Sequence, residues 1–336
     1  MLYKLRAFWS QSFRLPPPTL TEKTLPDQTG KVYLITGSNT GVGYQVASIL
    51  YGHNAKVYVA ARTESKALAA IDAIQKEHPK SQGKLEYLHL DLSDLSTIKA
   101  SAEDFLSRED KLHWLNNNAG VMVPPNGSKG AQGLDLTYQT NILGPFLFTK
   151  LLLPILRRTA EDEPKGAVRV SWAGSLAVVL QSPPGGMSWK TGADGKETLD
   201  DKNNNTHTYG VSKAANYFFG TEFGKRFGAR DGVLHNCYNP GNLASDLQRH
   251  ANKQYPSWAL WFLDKLLYPV VFGAYTELYA GLSPDLTLDA DQGAYIIPWG
   301  RKGSVRPDLV AEAVTKDDGE AKKLFDWCDA VTREYA

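Results

Sequence analysis

An α/β domain on a doubly wound parallel sheet of about seven strands is the fold this sequence predicts. Three observations predict it. Short apolar runs alternate with helical patterns along most of the chain. Those runs are predominantly apolar, as expected of strands buried on both faces. A glycine cluster also follows the first run directly, where a strand would turn into a helix.

The elements follow in order. Lys31–Thr36 (KVYLIT) reads as a strand and Gly41–Leu50 as a helix. Ala55–Ala60 is a strand, and a helical stretch runs from Ser65 to Lys76. Leu85–Leu90 is a strand, Leu95–Leu106 a helix, and Leu112–Asn117 the fourth strand. A long helical stretch spans Leu136–Leu156, with Pro145 and Pro154 expected to bend or end it. Ala167–Trp172 is the fifth strand, Tyr209–Phe227 a helix, Val233–Tyr238 the sixth strand and Ala294–Ile297 the seventh. The reading is a single domain, 30–336, behind an N-terminal arm, 1–29. Gln181–Thr208, rich in Gly, Pro, Asn and Asp, reads as a surface loop. Residues 242–284 are dense in aromatics and read either as core or as a lid over an apolar substrate.

Composition narrows the function. The 336 residues are 42% hydrophobic with a net charge of +1, which gives no reason to expect a nucleic-acid partner. Two cysteines, Cys237 and Cys328, suit a reducing compartment, and no Cys/His spacing suggests a metal. The N-terminus carries Lys4, Arg6 and Arg14 and no acid before Glu22. It lacks the apolar run of a signal peptide or a membrane span. Leu2, Leu5, Trp9 and Phe13 can share one helical face, which suits either shallow membrane contact or packing on the protein's own surface. A cytoplasmic protein, at most peripheral to a membrane, is expected.

The chemistry centres on one pair. Of 16 tyrosines, only Tyr209 has a lysine, Lys213, four places later. On a helix the two lie on one face, one turn apart. An ammonium beside a phenol favours phenolate and lowers its pKa, which suits proton exchange with a carbonyl or alcohol oxygen. The glycine cluster is Thr36-Gly37-Ser38-Asn39-Thr40-Gly41-Val42-Gly43. Its glycines allow a tight turn and close backbone approach to a pyrophosphate, and the helix start offers free N–H groups. The second strand ends at Ala61 and Arg62, where an NAD site would place an acid. A cation there suits a 2′-phosphate, so NADP(H) is the expected cofactor, with Lys66 a further cation. Asp91, followed by Leu92, ends the third strand and suits the adenine amino group. Asn117-Asn118-Ala119-Gly120 ends the fourth, with small residues where the cofactor would pass.

TGxxxGxG, NNAG, YxxSK and a later PG, in this order, resemble the short-chain dehydrogenase/reductase superfamily over roughly residues 30–250. The resemblance implies a Rossmann-type domain and a catalytic Asn, Ser, Tyr, Lys tetrad. Tyr209 and Lys213 match two of the four. Ser175 takes the serine's place, with Ser171, inside the strand, as the competitor. Asn141 matches the asparagine that holds a water behind the lysine. Pro240-Gly241-Asn242-Leu243-Ala244-Ser245 matches PGxxxT, which implies that Leu243 and Ser245 face the nicotinamide. Ser175 and Tyr209 stand 34 positions apart, wider than in compact members. That spacing resembles the retinol-dehydrogenase-like branch and its fungal secondary-metabolism relatives, which act on bulky apolar carbonyls or alcohols. The expected reaction is therefore carbonyl–alcohol interconversion. Reduction of a conjugated C=C or an imine, and a non-catalytic dinucleotide-binding protein, are the alternatives. Trp172, Met187, Trp189 and the aromatics of 258–282 are candidate pocket walls, with ordinary packing the alternative for each. Family members often form homodimers through the helices that here carry Asn141 and Tyr209.

Overall fold

The computed structural model describes residues 2–192, 195–202, 204–244 and 267–336. Its centre is an eight-stranded sheet in the order β10-β9-β8-β5-β4-β1-β2-β3. The strands are β1 Val32–Thr36, β2 Lys56–Ala61, β3 Lys84–His89, β4 Trp114–Asn117, β5 Arg169–Ala173, β8 Leu234–Tyr238, β9 Ala294–Ile297 and β10 Arg301–Gly303. Seven are parallel, and β10 runs antiparallel to β9 at the edge. Strand order reverses between β1 and β4. In such sheets that reversal opens a crevice at the strands' C-terminal ends, where ligands bind.

Helices cover both faces. They are α1 Leu2–Ser12, α2 Gly41–Gly52, α3 Glu64–Glu77, α4 Leu95–Arg108, α5 Gly144–Glu161, α6 Asn205–Phe223, α7 Val271–Leu282 and α8 Glu320–Thr332. β1 shows how the two cores are divided. Tyr33 and Ile35 pack with residues of α2, α3 and α7, while Val32 and Leu34 pack with α4, α5, α6 and α8. Every residue of β1 is buried, so the run carries no polar alternation.

Four expectations need correction. The sheet has an eighth strand, β10, whose sequence RKG carries no apolar signal. It lies at the edge, where Lys302 pairs with Asp291 at 2.5 Å. The stretch 181–208 is not a plain loop. It contains a hairpin, β6 Trp189–Thr191 with β7 Glu197–Leu199, and it buries Met187 and Leu199. Helix α6 starts at Asn205, a turn before Tyr209. Asn204 caps it by accepting from the N–H groups of Thr206 and His207, which offsets a poor helix-forming run. Pro154 does not end its helix, which runs on to Glu161. The buried stripe of Phe146, Leu152, Ile155 and Leu156 holds the turn that the missing N–H weakens. Pro145 lies just past a π-helical turn, Gln139–Leu143, at the start of α5.

The two ends of the chain fold onto the domain. α1 packs beside the turn Ala177–Leu180, with Lys4 Nζ donating to the Leu180 carbonyl at 2.9 Å. Leu2, Leu5 and Trp9 are all at least 60% exposed on its outer side. Phe13 is half-buried, its ring 4.8 Å from Trp9. At the other end, α8 lies across α5 and α6. Phe325 packs on Phe146 at 4.9 Å and Phe223 at 5.0 Å, and Asp326 pairs with Arg226 at 2.9 Å. Of the aromatic stretch 242–284, α7 is core, with Gly273–Gly281 buried. Residues 245–266, including Ser245 and the first part of the expected lid, lie outside the described residues.

Candidate active site

The glycine turn joins β1 to α2 at the crevice. Gly37 has φ +69, and a Cβ there would stand 3.0 Å from Ala119 Cα. Gly41 has φ +62 and no atom within 4 Å of where its Cβ would be, so it faces open space. Gly43 serves a different purpose. Its Cβ would lie 2.5 Å from Asn118 Nδ2 and 2.9 Å from Ser38 Cα, so only glycine lets α2 pack this closely. Thr40, the residue before α2, makes no side-chain cap, which leaves the first-turn N–H groups of a 12-residue helix to another acceptor. Asn39 is half-buried, Thr40 exposed and Val42 half-buried around the same turn.

The ends of β1 and β4 are tied together. Asn118 Nδ2 donates to the Thr36 carbonyl at 2.8 Å, and the Ala119 N–H donates to Thr36 Oγ1 at 2.9 Å. Gly120 lies beside the catalytic candidates: a Cβ there would meet Asn141 Oδ1 at 3.2 Å and Lys213 Nζ at 3.6 Å. Arg62 and Lys66 are both exposed, just past the end of β2 and in the first turn of α3. Asp91 Oδ1 accepts from the Ser93 N–H at 2.9 Å and its hydroxyl at 2.5 Å, which fixes the turn after β3. Leu92 is a core residue, 5% exposed, with its carbonyl and Cβ packed at Gly144.

Tyr209, Lys213 and Ser175 come together at the end of β5. Tyr209 and Lys213 share one face of α6 and are 6% and 5% exposed. Lys213 Nζ sits 5.5 Å from the centroid of the Tyr209 ring and donates to the Ala173 carbonyl at 2.8 Å. Asn216 Nδ2 donates to the same carbonyl at 2.9 Å. Ser175 is held from two sides: its hydroxyl accepts from the Ala177 N–H at 3.2 Å, and its carbonyl accepts from Tyr295 Oη at 2.9 Å. Ser175 also acts on the Tyr209 phenol, pulling that group's pKa down. The competitor Ser171 is fully buried in β5, where its Oγ accepts from Trp114 Nε1 at 3.0 Å. Asn141 lies in the π-helical turn. Its side chain bonds both backbone groups of Val121, at 2.8 and 2.9 Å, and donates to Ser212 Oγ at 3.2 Å.

The electrostatics differ from the sequence expectation in one respect. Burial pushes Tyr209 up to about 12, against the pull of Ser175. Burial also pulls Lys213 down to about 8, opposed by Cys237 and Glu277. The ammonium faces the ring and is bonded to a carbonyl, so desolvation rather than the cation sets the phenol's acidity here. A phenol held protonated in this way suits donation to a carbonyl oxygen.

The PG loop follows β8. Gly241 has φ +100, and its Cβ would clash with the Trp299 ring at 2.5 Å. Leu243 is 4% exposed and packs with Val42 around Gly273, which leaves little of it to face a nicotinamide. The three named pocket-wall candidates belong to the core or to an outer joint. Trp172 is fully buried against Phe219 and Phe223, and Met187 is 6% exposed in the same core. Trp189 stacks edge-on against Trp327 and donates to Glu320 at 2.6 Å.

One buried group escaped the sequence reading. Glu277, on α7, is fully buried, with Oε2 accepting from Asn116 Nδ2 at 2.5 Å. Tyr238 Oη donates to Asn116 Oδ1 at 2.8 Å and completes the cluster. Glu277 Oε1 has no hydrogen-bond partner among the described residues. Burial raises this carboxyl from its ordinary value near 4.5 to about 8. The available signal was a lone acid inside the apolar run VVFGAYTELYAGL. The folded state therefore binds one proton more than the unfolded chain between pH 4.5 and about 8. Stability from this group is full below pH 4.5 and is lost as pH rises through about 8. Glu277→Gln should flatten that decline. Buried His235, pulled down to about 3, gives a slope of opposite sign, so wild-type and variant melting curves must be compared pH by pH.

A family model for short chain dehydrogenases matches residues 31–171. A short-chain dehydrogenase/reductase of Phomopsis amygdali is 44% identical over 98% of both chains. A solved short-chain type dehydrogenase/reductase from Mycobacterium marinum superposes with a TM-score of 0.61 at 19% identity, covering 83% of this chain and 98% of that one. A solved short chain dehydrogenase from Shigella flexneri, complexed with NADP, superposes with a TM-score of 0.53 at 19% identity, covering 73% and 87%. The protein belongs to the short-chain dehydrogenase/reductase family, a family of oxidoreductases that use a nicotinamide dinucleotide. Among the described residues no helix is long and apolar enough to cross a membrane.

Proposed function

We propose that this protein is an NADP(H)-dependent oxidoreductase that interconverts a bulky apolar carbonyl compound and its alcohol. One observation carries the reading: Ser175 and Lys213 converge on the buried Tyr209 phenol beside the crevice between β1 and β4. The crevice suits the cofactor. Open space at Gly41 and the uncapped start of α2 suit a pyrophosphate, and exposed Arg62, with Lys66, suits a 2′-phosphate. The NADP in the Shigella flexneri relative agrees with that choice. Asp91, Asn118, Ala119, Gly120 and the Pro240–Gly241 turn would line the remainder.

When bound, NADPH supplies the hydride. Ser175 holds the substrate's carbonyl oxygen and stabilises the negative charge developing there. Tyr209, kept protonated by burial, passes its proton to that oxygen. Lys213 would hold the cofactor's ribose and would stabilise the phenolate left when Tyr209 gives up its proton. Asn141 fixes the Val121 backbone behind them. The substrate class rests on the wide Ser175–Tyr209 spacing and the resemblance it carries. The test is NADPH oxidation with a panel of apolar ketones and aldehydes, conjugated alkenes and cyclic imines. Turnover confined to the alkenes or imines would overturn the carbonyl assignment, and no turnover with any of them would overturn the enzyme reading.

A further inference from the structure

The C-terminal end of α1 buries two polar side chains, Gln11 at 2% and Ser12 at 1% exposure. A buried polar group must find a partner, and both find theirs on the loop after β8. Gln11 Oε1 accepts from Asn239 Nδ2 at 2.8 Å, and Ser12 Oγ accepts from Asn242 Nδ2 at 2.9 Å. The last carbonyls of α1, which have no partner within the helix, are bonded too. Ser12 accepts from Tyr268 Oη at 3.1 Å, and Ser10 accepts from the Arg301 guanidinium.

The loop depends on these contacts. Asn239 Oδ1 accepts from the Gly241 N–H at 3.0 Å, which sets the turn at φ +100. With Oδ1 so engaged, the orientation of the Asn239 amide is fixed at its other end by Gln11. Tyr268 is the loop's second strut: its N–H donates to the Asn242 carbonyl at 2.8 Å, and its own carbonyl accepts from Ala244 at 3.0 Å. One side of the loop is therefore anchored to β9 through Asn239 N–H on the Ile296 carbonyl at 2.8 Å, and the other side to α1.

We infer that α1 is a working part of the active site: Gln11 and Ser12 are positioning residues that set the cofactor-facing loop Asn239–Ala244 from outside. This rests on the proposed function only in taking that loop to face the cofactor. Removing both acceptors leaves one buried and one half-buried amide donor, those of Asn239 and Asn242, without these partners and frees the Asn239 amide to turn. The Pro240–Gly241 turn then shifts against the bound dinucleotide, while Tyr209 and Ser175 stay in place.

The experiment combines Gln11→Met, which keeps the volume and removes the acceptor, with Ser12→Ala. Lys4→Ala is the control, since it removes a helix–body bond at the far end of α1 and touches no loop residue. Ser12→Thr, alone, keeps the hydroxyl. Hydrogen exchange over residues 239–244 should speed up about tenfold in the double variant. The kcat/KM should fall on the order of 10- to 100-fold, with NADPH affinity weakened. Lys4→Ala and Ser12→Thr should match wild type in all three. Unchanged loop exchange in the double variant, or an equal effect from Lys4→Ala, would overturn the inference. If wild type proves inactive while loop exchange still responds, the function is wrong and the brace stands.

Discussion

Tyr209→Phe should lower kcat by about 10³-fold while NADPH binds as tightly as before. The substitution deletes one oxygen and keeps the ring, so α6 and its packing should survive. The ring that carries that oxygen has the Lys213 ammonium 5.5 Å from its centroid, and Ser175 pulls the phenol's pKa down. Burial holds it protonated well above neutral pH, so it stands in the form that can give a proton to a substrate oxygen. A general acid contributes about 10²–10⁴-fold, which sets the expected size of the loss. Cofactor affinity should not follow, because the charged contacts proposed for the dinucleotide lie at the glycine turn and Arg62. Initial rates with saturating NADPH, together with a fluorescence titration of NADPH, separate the two quantities. Turnover at the wild-type rate would remove Tyr209 from the mechanism.

Arg62→Ala should raise the KM for NADPH about 10- to 100-fold and leave that for NADH nearly unchanged. Arg62 lies one residue past Ala61, the last residue of β2 and the position where an acid would otherwise meet the ribose hydroxyls. The guanidinium is exposed, so its attraction is partly screened, and high salt should shrink the difference between the cofactors. Lys66, a turn further on, should show a smaller change when replaced. If wild type already used NADH and NADPH equally well, the role given to Arg62 would fall.

Much of this architecture was legible because its signals are local. β1, β2, β4, β5, β8 and β9 are short apolar runs, and each lies within a residue or two of its sequence-read boundary. The glycine turn was legible for the same reason, since three steric demands fall within seven residues. Ser175 and Tyr209 lie near one another although they stand 34 positions apart, because each follows a strand or helix landmark. The misses depended on distant partners. β10 has no hydrophobic pattern and exists only because β9 lies beside it. Gln11 and Ser12 carry no local signal of burial, because their partners, Asn239 and Asn242, lie far along the chain. Of the two readings the sequence leaves for Trp172, Met187 and Trp189, packing is the one the structure shows. Periodicity reports which residues are apolar, but not which polar groups find buried partners or which side of an element faces a cavity.

The placement of α8 bears on how many chains make a working enzyme. Phe325 and its neighbours cover part of the α5–α6 surface, where α6 carries Tyr209 and α5 continues from the turn holding Asn141. A second copy would first have to displace a segment already seated there, whose tether makes it a far more concentrated competitor than any free chain. Each polypeptide should then be a self-sufficient catalyst. Activity per chain should stay constant on dilution, and mixing with Tyr209→Phe chains should dilute the wild-type activity without poisoning it. A loss of activity per chain as the protein is diluted would mean that the pairing surface lies elsewhere and matters.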